Sequence, residues 1–151
     1  MQLYRIASSR HPIWDGTGAA LLGGRWNSPG RPVIYASMTY AGAMLEVLAH
    51  TNIGKVPPSH QCVAANVSDE LSTTRYLLEG LPPGWDLEDS AGARKIGDAW
   101  LDACKTALLI VPSVVARLEW NVLVNPRHSD AIRIRVSDPE VVRWDQRLFS
   151  K

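Results

Sequence analysis

The run ALLIV, Ala107 to Val111, cut off by Pro112, limits most strongly what this chain can fold into. It is the longest apolar run present, suited to a buried strand that Pro112 ends and far too short to cross a bilayer. LYRIA (3–7), QCVAANV (61–67), LEWNVLV (118–124) and IRIRV (132–136) also have strand length, and VVRW (141–144) is a weaker candidate. Two stretches have helical spacing. One runs from Tyr40 to His50, with Thr39 as its N-cap and Asn52 and Gly54 as stops. The other runs from Ser90 to Lys105 through Ile96, Trp100, Leu101 and Cys104. They lie too far apart for repeated βαβ units. The expectation is one α/β (α+β) domain over residues 1–151, with a mixed, strand-rich sheet flanked by helices.

Composition excludes several classes of function. The chain has 151 residues, enough to bury a core without staples, and its 16 basic and 15 acidic residues leave a formal charge of +1. A nucleic-acid surface would show a basic excess. Cys62 and Cys104 are far apart in apolar surroundings and form no C-x-x-C, so they read as small buried hydrophobes in a reducing compartment. The N-terminus MQLYRIASS has no signal pattern, and a cytoplasmic, membrane-free protein is expected. Aromatic usage is lopsided, with six Trp and four Tyr but one Phe. Tryptophan and tyrosine favour cleft edges and interfaces, and the tail RWDQRLFSK, with Trp144 and Phe149, could pack on a second copy of the chain or on a partner protein.

The segment SSRHPIWDGTGAALLGG has no period and reads as a long loop. RWN and PVIYAS then read as two strands joined around Pro29-Gly30. With Pro29-Gly30-Arg31 as the loop, Arg25 lies across from Tyr35 on one face. A two-residue loop would send them to opposite faces. GTGAALLGGR completes neither phosphate-loop fingerprint, because Leu21 replaces the third glycine of one and Gly24-Arg25 replaces Lys-Ser/Thr in the other. His11, His50, His60 and His128 have no metal-ligand spacing, and no metal is expected.

Three signals carry chemistry. Arg25 follows two glycines, and a forked, permanent cation at such a corner suits a phosphate. Alone, it is more simply an arginine beside a turn. On the first helix, Ala41, Met44, Leu45 and Leu48 form the expected core stripe. Glu46 falls off that stripe, with Gly42, Ala43, Ala49 and His50 as helical neighbours that leave it room. Alone, it is a solvated carboxylate. Ser113 follows the proline that ends the buried strand, where sites are often placed, and Glu119 and Asn121 share one face of the next strand. NPRHSD is turn chemistry.

In this order, YR (4–5), GGRWNSPGRPVIYAS, A-x-x-x-x-E-x-L-x-H from Ala41 to His50, PS (112–113) and E-x-N-x-L-x-N-P-x-H from Glu119 to His128 resemble the RES domain family. The resemblance implies a fold similar to ADP-ribosylating toxins and a role as the toxin of a two-gene toxin–antitoxin module. It implies NAD as substrate, not as a cofactor. An Xre-like helix-turn-helix antitoxin would be the partner, its C-terminal part blocking the cleft. The family's functional Arg, Tyr, Glu and Ser fall on Arg25, Tyr35, Glu46 and Ser113.

The chemistry expected from this is cleavage of the nicotinamide–ribose bond, by hydrolysis or phosphorolysis, through an oxocarbenium-like sugar. Arg25 would clamp the diphosphate and Tyr35 would stack on the nicotinamide. Glu46 would hold the ribose hydroxyls and stabilise the developing cation, and Ser113 would orient either Glu46 or the nicotinamide amide. Arg5 would be either a second basic contact or an inward-leaning structural arginine, and Asn121 would face the same cleft. The alternative is mono-ADP-ribosyl transfer onto a host protein. A non-enzymatic or RNA-directed module is a third, which the near-neutral charge disfavours.

Overall fold

The computed structural model describes residues 1–51 and 55–149. In chain order the elements are β1 (Gln2–Ser8), α1 (Thr17–Leu22), β2 (Ile34–Ser37), α2 (Tyr40–His50), β3 (His60–Asn66), β4 (Thr73–Arg75), α3 (Ala91–Ala103), β5 (Leu108–Pro112), β6 (Trp120–Val124), β7 (Arg135–Val136) and β8 (Glu140–Val141). The strands make one sheet in the order β4-β5-β6-β2-β1-β3-β7, with β8 also paired to β3. Only the β4–β5 pair is parallel among the described strands, so the sheet is mixed, as expected.

Register assigns the faces. Tyr4 pairs with Ser37, Ser37 with Asn121, and Asn121 with Val111. These four therefore share one face, followed by the row Tyr35, Leu123 and Leu109. On this face α2 packs Ala43, Met44 and Val47 against Ile6 and Cys62. Farther along, α3 packs Trp100 and Leu101 against Leu109 and Leu123. The opposite face carries Leu3, Ile34, Ile110 and Val122, with Trp14 and Ile134 packed over it. This explains ALLIV. Leu108 and Ile110 point to one layer, Leu109 and Val111 to the other, and all four are buried.

Both long helices have side-chain caps. Thr39 Oγ1 accepts from the Gly42 amide at 2.9 Å, and Ser90 Oγ accepts from Ala93 at 3.1 Å. Cys104 closes α3 in the left-handed region at φ 48°, and its side chain is half-buried instead of fully buried. The other end of α2 closes at Thr51, while the stops expected at Asn52 and Gly54 lie outside the described residues.

Four expectations are corrected. The first is the hairpin across Pro29-Gly30. Both edges of β2 are already taken, by β1 and β6, so no ladder is open to residues 25–27, and the sheet partner of Tyr35 is Leu123. The segment instead folds around Asn27, which is fully buried. Its Nδ2 donates to the carbonyls of Ala19 at 2.8 Å and Arg31 at 3.0 Å, and its Oδ1 accepts from Tyr35 at 2.7 Å. The second is the glycine-rich loop, which contains α1. The third is the α2 stripe: Gly42 and Ala43 are the buried residues, while Ala41 and Leu45 are exposed. The small residues bring the helix close to the sheet, and Met44 and Val47 flank them. The fourth is IRIRV. His128 Nδ1 accepts from the Asp130 amide and caps a short 3₁₀ turn over Ser129–Arg133, leaving Ile132 exposed and only Arg135–Val136 as strand.

The loop before β2 is pressed onto α3. Ser28 donates from its amide and its hydroxyl to the Asp98 carboxylate, at 2.7 and 2.5 Å. A Cβ on Gly97 would lie 1.7 Å from the Trp26 carbonyl oxygen. Gly97→Ala is therefore expected to destabilise the fold by about 3 kcal/mol and lower the melting temperature by roughly 10 °C, checked by thermal unfolding. An unchanged melting temperature would mean that the loop and helix are not in this contact.

Candidate functional site

The site forms where β2, β5, β6 and the face of α2 meet. Glu46 reaches the sheet because Gly42 and Ala43, one turn before it, hold the helix close. Its Oε1 accepts from Asn121 Nδ2 at 2.6 Å and from Ser113 Oγ at 3.0 Å. Asn121 is oriented in turn, its Oδ1 accepting from Ser37 Oγ at 2.9 Å. Ser113 sits just past Pro112, buried, and its hydroxyl also accepts from the Ala116 amide at 3.1 Å. Both donors go to one carboxylate oxygen. The other, Oε2, accepts no hydrogen bond from the described residues, and no cation pairs with Glu46 among them. The result is a half-buried carboxylate, fixed by one oxygen and free at the other.

Tyr35 lies one row along the same face. Its hydroxyl donates to Asn27 and accepts from the Trp26 amide at 3.1 Å. Burial pushes the phenol well above its ordinary range, so it remains a neutral donor. A Cβ on Gly24 would lie 2.7 Å from this hydroxyl, which accounts for the second glycine before Arg25. Arg25 extends from the same corner over the segment Trp85–Leu87. One of its terminal nitrogens donates to the carbonyl of Trp85 at 3.0 Å and to that of Leu87. Beside it, Asp86 pairs with Arg117 at 2.8 Å. That bond holds the Asp86 carboxyl below the usual carboxylate range, and the Arg25 charge assists. Arg117 belongs to the loop that returns from Ser113 to β6, so the arginine corner and the Glu46 cluster are tied together through Asp86.

The structure thus brings Glu46, Ser113 and Asn121 into direct contact, sets Tyr35 one row along the same sheet face, and holds Arg25 on the carbonyls of Trp85 and Leu87. Arg5 is a correction. It follows Tyr4 on β1 and so points to the opposite face from Ser37 and Asn121. Its guanidinium donates to the carbonyls of Ile13 at 2.6 Å, Tyr35 at 2.7 Å and Asp15 at 3.5 Å. Burial lowers its basicity and the Asp15 charge opposes that shift. Arg5 pins the loop before α1 to the sheet, on the face away from Ser37 and Asn121.

Sequence reasoning missed Ser37, Asn27 and the Asp86–Arg117 pair. Ser37 was within reach, since it shares the parity of Tyr35. Nothing local marks the others. Two hollows lie elsewhere, about 240 Å³ beside Arg31, Asp102 and Arg127, and about 460 Å³ between β4 and α3. The first has its carboxylate already paired with Arg31, and the second is lined by no carboxylate, so the Glu46 cluster is the candidate site. Among the described residues no cluster of His, Cys, Asp and Glu could hold a metal ion, and no helix is long and apolar enough to cross a membrane.

Comparison with known proteins places the chain in a family. The family model described as "RES domain" matches residues 2–145. The chain is 38% identical over 140 residues to "Prs ADP-ribosylating toxin" of Sphingobium sp. (strain YBL2), covering 91% of this chain and 87% of that protein. It is 38% identical over 153 residues to "Toxin Res" of Pseudomonas putida (strain KT2440), covering 99% and 100%. The fold matches a chain from the crystal structure of the M. tuberculosis MbcT–MbcA toxin–antitoxin complex with a TM-score of 0.77, at 21% identity, over 92% of this chain and 82% of that one. The fixed carboxylate and the arginine corner sit in a chain that belongs to the RES domain family, whose relatives carry the name of toxins.

Proposed function

We propose that this protein is the toxin of a toxin–antitoxin pair and that it cleaves the nicotinamide–ribose bond of NAD, passing the ADP-ribosyl group to water or phosphate. The observation that carries this reading is the Glu46 carboxylate, locked through Oε1 by Asn121 and Ser113 with Oε2 open. In NAD the leaving group already bears positive charge. When the glycosidic bond breaks, its electron pair returns to the pyridinium nitrogen and neutral nicotinamide departs, so no acid is needed. One carboxylate then suffices. Oε2 accepts from a ribose hydroxyl and faces the cationic sugar as it forms. The acceptor oxygen bonds to the anomeric carbon and, from water, releases a proton to solvent.

Arg25 uses one nitrogen on the 85–87 segment and keeps donors for the diphosphate. Tyr35 acts differently from a simple stacking ring. Its hydroxyl is committed to Asn27 and Trp26, so it holds the corner from which Arg25 extends. The partner is an antitoxin that covers this cleft, in keeping with the complex in which the structural neighbour was solved, and the resemblance assigns it an Xre-like domain.

A second reading, ADP-ribosyl transfer to a protein, is favoured by the name of the Sphingobium relative. The two share the cleft and differ in acceptor. Purified protein with NAD, with and without phosphate, should release nicotinamide, with ADP-ribose or ADP-ribose 1″-phosphate as co-product. Slow release coupled to a labelled protein in lysate would select the second reading. Glu46→Gln is expected to keep NAD binding and lower turnover by about 100- to 1000-fold. Near-wild-type turnover would remove Glu46 from the chemistry. Arg25→Ala should weaken NAD binding as well as turnover, measured by calorimetry and nicotinamide release. Tyr35→Phe keeps the ring and removes the two hydroxyl bonds. It should lower the melting temperature and weaken NAD binding, whereas a ring that acted by stacking alone would leave both unchanged.

A further inference from the structure

Glu119 is a second carboxylate on the same face, two residues before Asn121 on the approach to β6. Its Oε2 accepts from Thr39 Oγ1 at 2.5 Å. That same hydroxyl oxygen accepts from the Gly42 amide at 2.9 Å and forms the N-cap of α2. A hydroxyl has one proton to give, and Glu119 takes it, so the lone pairs of Thr39 are left facing the helix amide. The carboxylate also places negative charge at the positive end of the helix. Gly42 lies one turn before Glu46, and a Cβ there would sit 2.7 Å from Glu119 Oε2 and 2.9 Å from Thr39 Oγ1. A glycine lets this contact close.

One chain segment therefore holds α2 twice. Glu119 grips the helix cap through Thr39, and Asn121 grips Glu46 a turn later. A helix that slipped by one residue would rotate by about 100° and rise about 1.5 Å, which breaks the Asn121–Glu46 bond. The geometry points to Glu119 as a positioning residue that sets the register of α2 through the Thr39 cap and so delivers Glu46 to Asn121 and Ser113. Glu119 touches no reacting atom in this role. For its activity readout the inference rests on the NAD-cleaving function proposed above. For its structural readout it does not.

The test compares wild type with Glu119→Ala, Glu119→Gln, Thr39→Val and the Thr39→Val/Glu119→Ala double variant, using nicotinamide release from NAD and the side-chain amide resonances of Asn121. Glu119→Ala should lower kcat about tenfold with KM within about twofold, because displacement costs the transition state more than binding. Glu119→Gln retains an oxygen that accepts from Thr39 and should recover to within about threefold of wild type, and the double variant should lose no more than either single one. Unchanged kcat in Glu119→Ala overturns the inference. So does a Glu119→Gln variant as impaired as Glu119→Ala, which would put the charge into the chemistry, or a double variant whose losses multiply. If wild type releases no nicotinamide, the NAD proposal fails and the resonances decide. The Asn121 amide should move in Glu119→Ala and stay in place in the well-folded Glu119→Gln, and an unmoved resonance in Glu119→Ala sinks the positioning role.

Discussion

Two hydrogen bonds to a single oxygen organise the candidate site. Asn121 and Ser113 both donate to Glu46 Oε1, and everything else at the site follows from what that requires. The end of β5 must lie beside the start of β6, α2 must sit close enough for a glutamate to reach the sheet, and Asn121 must present its amide nitrogen. Pro112, the pair Gly42 and Ala43, and Ser37 meet these needs in turn. A carboxylate pinned at one oxygen has lost most of its rotational freedom before a substrate arrives. That is the condition under which one negative group can stabilise a developing cation without reorganising first.

The arginine corner is built by a different rule. Because β2 is paired on both edges, the chain before it cannot add a strand and is folded around buried side chains instead. Asn27 binds the carbonyls of Ala19 and Arg31 across the corner, Trp26 is buried against Trp85, and Tyr35 ties the corner to the sheet. Arg25 emerges from this packed corner with donors to spare. The corner and the carboxylate come from segments distant in sequence, yet the Asp86–Arg117 pair and the loop after Ser113 join them.

Much of this was legible in the sequence, and the parts that were not share a cause. The buried strand at Ala107–Val111, both long helices, the Thr39 cap and the parity of Glu119 with Asn121 rest on local periodicity, which a single sequence carries. The hairpin expectation failed because local turn chemistry at Pro29-Gly30 cannot reveal that β2 already has two partners. The expected α2 stripe holds at Met44 but not at Ala41 or Leu45, because close approach to a sheet selects Gly42 and Ala43. Of the two roles open to Arg5, strand alternation selects the structural one by turning it away from Ser37 and Asn121. The cluster at Glu46 became visible only when the order of its pieces was set beside the RES family pattern, since each piece alone fits a plainer role.

For the proposed NAD cleavage, the role of Glu46 depends on where the substrate ribose sits. A crystal structure of the Glu46→Gln variant with NAD bound tests this most directly. It should place a hydroxyl of the nicotinamide ribose within about 3.2 Å of the side-chain atom that replaces Oε2, with the diphosphate on Arg25. NAD bound instead in the hollow between β4 and α3, or with its ribose turned away from residue 46, would contradict it.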